Sequence, residues 1–222
     1  MRKIFIAILL CMSFTSGFIH AQTSVQILLG TQGFGLDINK SVSEKFSTRL
    51  GISSIPFSID NIVVNFHNVN TNDNIKANFS NIHFMLNYTP FFKDNFRVVG
   101  GVAYIIKANG KANIVPTDSY SYGNIQLTKE ELGTAVMNVS WSGLVPYLGV
   151  GLLNGFPTRY FNVSVDLGTY YLGSPKANMY GTGLLSGSYI YTEQLQKNVK
   201  GYKWMPLLQV NFNFNFRANS TY

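Results

Sequence analysis

Residues 208–216 read Leu-Gln-Val-Asn-Phe-Asn-Phe-Asn-Phe. Successive side chains of an extended chain point to opposite sides, so this run places Leu208, Val210, Phe212, Phe214 and Phe216 on one face and Gln209, Asn211, Asn213 and Asn215 on the other. A helix, with its period of 3.6, would scatter those phenylalanines around its axis. The segment is a strand with one apolar face. A soluble sandwich would turn that face inward, whereas a membrane barrel would turn it to lipid and line its interior with the asparagines. The alternation by itself leaves both open.

The same pattern recurs along the chain. Phe161, Val163, Val165 and Leu167 oppose Asn162, Ser164, Asp166 and Gly168. Ile82, Phe84, Leu86 and Tyr88 oppose Asn81, His83, Met85 and Asn87. Phe96, Val98, Val102, Tyr104 and Ile106 share a face opposite Arg97 and Lys107. Phe34, Leu36 and Ile38 alternate with Gly35, Asp37 and Asn39, and Phe46, Leu50 and Ile52 with Ser47, Arg49 and Gly51. In 145–153 Gly149 and Gly151 lie opposite Leu148, Val150 and Leu152, as a narrow interior without room for bulk requires. These make seven segments. A single-chain bacterial barrel takes an even number of strands, and the eighth is read at 24–29, followed by a tight turn at 30–33. The alternative is one long strand over 24–39 with an extra strand inside 110–142.

Connections are of two kinds. Residues 40–45, 92–95 and 154–160 are short, the last two carrying turn chemistry, while 60–76, 110–143 and 174–202 are long and rich in Asn, Ser, Thr and Gly. Short turns at one rim and long loops at the other are the habit of outer-membrane barrels. Residues 193–198 are expected to form a helical turn inside the last loop.

Composition agrees. Only 12% of residues are charged, against roughly 25% in an ordinary soluble domain, and 23 asparagines supply neutral polarity instead. Aromatics at 14% exclude a disordered chain. No apolar run approaches the roughly 18 residues of a membrane-spanning helix. The N-terminus has the form of an export leader: Arg2 and Lys3, an apolar stretch over 4–12, then a polar stretch to Ala21, a small residue suited to cleavage. We therefore expect a leader over 1–21 and a barrel domain over 22–222. Cys11, the only cysteine, lies in that leader, so a mature chain has no disulfide, zinc-thiolate site or cysteine nucleophile. Losing Arg2 and Lys3 lowers the formal charge from +7 to +5. The surplus is spread thinly and does not form a nucleic-acid footprint.

A set of motifs then occurs in order: Gly30-Thr-Gln-Gly33-Phe-Gly35-Leu-Asp37, Phe46-Ser-Thr-Arg49-Leu-Gly51, Val145-Pro-Tyr147-Leu-Gly149-Val-Gly151, Asp166-Leu-Gly168, Gly173-Ser-Pro-Lys176 and Lys203-Trp-Met-Pro206. In these the chain resembles a family of small outer-membrane β-barrel proteins of Gram-negative bacteria, with porin-like or OmpA-like barrels. The resemblance implies an all-β, up-and-down antiparallel transmembrane barrel, most simply of eight strands, in the cell outer membrane. It implies outer-membrane lipid, lipopolysaccharide and the barrel-insertion machinery as partners, and it brings no catalytic residues with it.

The candidate functional residues are the charges on predicted polar faces: Asp37, Arg49, Arg97, Lys107 and Asp166. They form either a constriction that selects small polar solutes or a structural ion-pair network filling a narrow lumen. Outside the leader the histidines are His67 and His83; no Ser–His–acid set or metal-ligand spacing is readable, so we expect neither catalysis nor a cofactor or metal. The glycine clusters match no nucleotide fingerprint. Tyr88, Tyr104, Tyr147, Tyr160, Tyr170, Tyr171 and Trp204 read as an interfacial girdle, or as core aromatics of a soluble barrel. Three function classes follow: a narrow channel for small polar solutes, a non-conducting structural or loop-binding barrel, and a soluble lipocalin-like binder. An asparagine-lined interior speaks against the last, and a lipid-A-modifying hydrolase has only fold analogy behind it.

Overall fold

The computed structural model describes residues 23–66, 69–90, 96–122, 125–155 and 160–216. The expected leader lies outside the described residues. The described residues form eleven strands: β1 (Thr23–Gly30), β2 (Gly33–Ser41), β3 (Phe46–Phe66), β4 (Val69–Tyr88), β5 (Phe96–Pro116), β6 (Tyr120–Tyr122), β7 (Ile125–Leu127), β8 (Ala135–Gly155), β9 (Phe161–Tyr171), β10 (Lys176–Gly181) and β11 (Trp204–Asn215). Eight of them close a ring in the order β1-β2-β3-β4-β5-β8-β9-β11, with β11 paired back to β1. Every neighbouring pair is antiparallel. β1 and β2 are joined by a two-residue turn closed at Gly33, whose φ of 92° favours glycine. The single long strand over 24–39 is thereby excluded.

Alternation sets which way each side chain points. In β11 Leu208 is 52% exposed while Asn211 is fully buried, and Gln209 and Asn213 are buried with it. Phe34, Leu36 and Ile38 of β2, Leu50 and Ile52 of β3, and Phe84 and Leu86 of β4 are likewise exposed. A belt of large apolar side chains outside and a polar lining inside is inverted for water and right for lipid. The soluble, lipocalin-like barrel is excluded on this ground.

Strand lengths depart from expectation. β3, β5 and β8 run for 21 residues and β4 for 20, where about 9–11 suffice to cross a membrane. They rise beyond the rim at which β1 and β2 end, so much of the expected loops 60–76 and 110–143 is sheet. Asparagine and serine on both faces hid the alternation there. The remainder of 110–143 holds the β6–β7 hairpin and a one-turn helix, Lys129–Leu132. The third long connection holds β10, a 3-10 segment (Gly183–Tyr191) and a helix (Thr192–Val199), which contains the expected 193–198 turn. β9 and β10 form one ascending path broken at Gly173, whose φ is 73°. β9 pairs with residues 147–155 of β8, and β10 resumes pairing at Ala135–Ser140. The outer edge of β10 is covered: its Ala177 amide donates to Gln196 Oε1 at 2.8 Å and its Met179 amide to Thr192 Oγ1 at 3.1 Å, which blunts an open sheet edge.

Candidate functional site

Inward-facing positions of eight strands converge in the bore, and four of the five candidate charges meet there. Asp166 of β9 lies at the centre. Arg49 Nη1 of β3 donates to its Oδ2 at 3.0 Å, and Arg97 of β5 donates to its Oδ1 through Nε at 3.0 Å and Nη2 at 2.6 Å. Asn211 Nδ2 and Gln209 Nε2 of β11 add bonds to Oδ2 at 2.9 and 3.0 Å. Asp37 of β2 forms the second node. His83 Nε2 lies 2.9 Å from its Oδ1, and Gln26 Nε2 donates to its Oδ2 at 3.3 Å. Arg49 Nε stands 3.5 Å from Asp37 Oδ2. This is an ion-pair contact without hydrogen-bond geometry, since that Nε has no bonded partner among the described residues. His83 Nδ1 in turn lies 2.9 Å from Asn81 Oδ1. Two formal positive and two formal negative charges thus cancel inside the bore. Arg49 is 2% exposed and Asp166 fully buried, so each is compensated as buried charge must be.

The glycines make this packing possible. Gly51 sits opposite Asp37 and Gly151 opposite Asp166 in the strand registers. A Cβ at Gly51 would meet Asp37 Oδ1, and one at Gly151 would meet Asp166 Oδ1 and the Arg97 side chain. Gly149 and Gly168, opposite each other, leave room for the Tyr147 ring. The expectation that inward glycines mark a narrow bore is met at these positions.

Above the charges, toward the long-hairpin rim, the interior turns apolar. Phe79, Val99, Ala103, Ile105, Tyr147, Tyr170 and Leu207 are buried against one another, with Tyr147 and Tyr170 rings 5.0 Å apart between centroids. An interior lined only with asparagine and charge is therefore corrected to two layers. Gln32, from the β1–β2 turn, joins them: its Nε2 donates to Gln209 Oε1 at 2.8 Å and its Oε1 accepts from Tyr170 Oη at 3.4 Å. Below the charges, at the short-turn end, a polar vestibule of about 160 Å³ is lined by residues that include Ser47, Arg97, Asn162 and Asn213.

Two expectations need correction. Lys107 does not join the other charges, because a bulge in β5 between Ile105 and Ala108 leaves both Ile106 and Lys107 on the outer face, where Lys107 is exposed. Tyr147 and Tyr170 belong to the bore and not to the girdle; Tyr88, Tyr104, Tyr160, Tyr171 and Trp204 remain exposed outside. Tyr147 has the parity of Gly149 and Gly151, and Tyr170 that of Asp166 and Gly168, so the signal that places them inside was present in the sequence.

No protein-family model matches this chain, and no curated protein does. Among solved structures it is similar to CarO2 of Acinetobacter baumannii, with a TM-score of 0.63 and 17% identity over 88% of this chain and 98% of that one. It is also similar to CarO of Acinetobacter baumannii, with a TM-score of 0.61 and 19% identity over 87% of this chain and 97% of that one. The fold is that of the small eight-stranded outer-membrane β-barrel proteins.

Proposed function

We propose that this protein is an outer-membrane barrel whose lumen is closed by its own side chains, and that its role is carried by the rigid sheet extension beyond the rim. The observation that carries this reading is the 3.0 Å contact between Arg49 and Asp166. β3 and β9 are four places apart in a ring of eight, so this ion pair crosses the full bore. With the tyrosine and leucine layer above it, two plugs lie in series, linked through Gln209 and Gln32. Small eight-stranded barrels have interiors that side chains can fill. Export through the leader read at 1–21 and delivery by the barrel-insertion machinery are part of the proposal. Catalysis is not part of it: among the described residues His83 is the one histidine, with both ring nitrogens taken by Asp37 and Asn81, and His67 lies outside the described residues.

The rival reading, a narrow channel for small polar solutes, draws on the polar vestibule, which gives solutes an entry as far as Arg97. It requires Arg49 and Asp166 to part. Swelling of liposomes carrying the refolded protein separates the two. A size series of sugars and amino acids should produce no swelling above protein-free vesicles, while size-dependent swelling would establish the channel.

A further inference from the structure

The outer extension carries one surface that a closed bore does not explain. On its outward face the strand registers line up two rows. In the first, Ser58 of β3 opposes Lys76 of β4, which opposes Lys111 of β5, then Asn138 of β8 and Asn178 of β10. In the second, Asn78 opposes Asn109, then Ser140, then Lys176. Lys107, opposite Ser80, lies one step nearer the rim. Lys76, Lys107 and Lys176 are exposed and Lys111 is half-buried. None of the four has an ion pair among the described residues.

Two features of this face point to a ligand. Lys76 and Lys111 are directly opposite across an antiparallel pair, an arrangement of like charges that is unfavourable unless an anion lies between them. The face also begins where the lipid belt ends. On β5 the belt closes with the exposed Tyr104 and Ile106 and Lys107 follows at once; on β4 Ile82 is followed by Ser80, Asn78 and Lys76. Lys111 follows Lys107 by four positions, about 13 Å along the strand. The cations therefore occupy the headgroup zone just outside the hydrocarbon.

We infer that this face binds the phosphate groups of a phosphorylated glycolipid, the lipopolysaccharide of the outer leaflet. Lys76 and Lys111 grip one phosphate between them, and Lys107 and Lys176 take neighbouring ones. The asparagines and serines between them offer amide and hydroxyl partners suited to sugar hydroxyls. The inference rests on the proposed outer-membrane reading, in which the long hairpins lie on the outer side of the membrane and the short turns on the periplasmic side, as in other barrels of that membrane.

The test uses the full refolded chain, folded state being read from heat-modifiable gel mobility in phosphatidylcholine vesicles. Binding of fluorescent bis-phosphorylated lipid A is then measured by anisotropy and compared with the same lipid stripped of both phosphates. Each surface lysine is worth about fivefold in affinity, so Lys76→Gln with Lys111→Gln should weaken binding about thirtyfold. Lys40→Gln with Lys45→Gln, at the short-turn end, should leave it unchanged. Should the first double variant fail to fold, Lys107→Gln and Lys176→Gln singly should each lose about fivefold. Equal binding of the stripped lipid, or wild-type affinity in the lysine variants of a correctly inserted chain, would overturn the inference alone. A chain that does not insert into vesicles would overturn the membrane reading and the inference together.

Discussion

Asp166 accepts hydrogen bonds from four side chains on three other strands, so its removal should be felt across the ring. Asp166→Ala leaves two buried guanidinium groups short of their counter-charge, and loss of one member of a buried pair typically costs about 3–5 kcal/mol. Urea unfolding in lipid vesicles should show this as a large fall in the midpoint; a change near zero would mean that the network does not hold the barrel. Tyr147 predicts the opposite sign. Its Oη is buried with no hydrogen-bond partner among the described residues, so Tyr147→Phe removes an unpaired polar atom and should be neutral or stabilising by about 1 kcal/mol. Much at this scale was legible beforehand. Asp37, Arg49, Arg97 and Asp166 follow from parity on short amphipathic strands. Lys107 does not, because one extra residue in a bulge reverses every side chain beyond it, and nothing in Tyr104-Ile-Ile-Lys107 marks where that residue is inserted.

Among the elements, the barrel strands were readable and the extension was not. Inside the membrane the two faces meet different surroundings, so apolar and polar residues must alternate. Beyond the rim both faces meet water or other polar chain, and a run such as Asn70-Thr-Asn-Asp-Asn74 pairs in β4 as well as it would sit in a loop. Strand pairing there is carried by backbone bonds, which composition does not reveal. The free edge of β10 depends on its helix instead. Gln196→Ala should leave the Ala177 amide without its 2.8 Å partner. A net loss of about 1 kcal/mol is expected, and hydrogen exchange of the β10 amides should quicken about fivefold while β9 and β11 amides stay protected. Exchange that quickens equally in all three strands would show that β10 is not an independent local unit.

At the scale of the whole molecule, the outward apolar belt and the neutralised, filled interior describe a barrel that is stable in lipid and shut along its axis. Strand content and strand number came from alternation and from the parity of the strand count, and the inverted polarity from the sorting of short and long connections together with the family resemblance. Whether the bore is open could not be read from sequence, since it depends on which side chains reach across the ring, and Arg49 and Asp166 are 117 positions apart. Ions are the smallest probes of that question. Electrical recording across a planar bilayer, with the inserted fraction verified by gel mobility, should give a baseline without unitary steps. Regular steps of uniform size from the wild-type chain would contradict the closed bore on which this account rests.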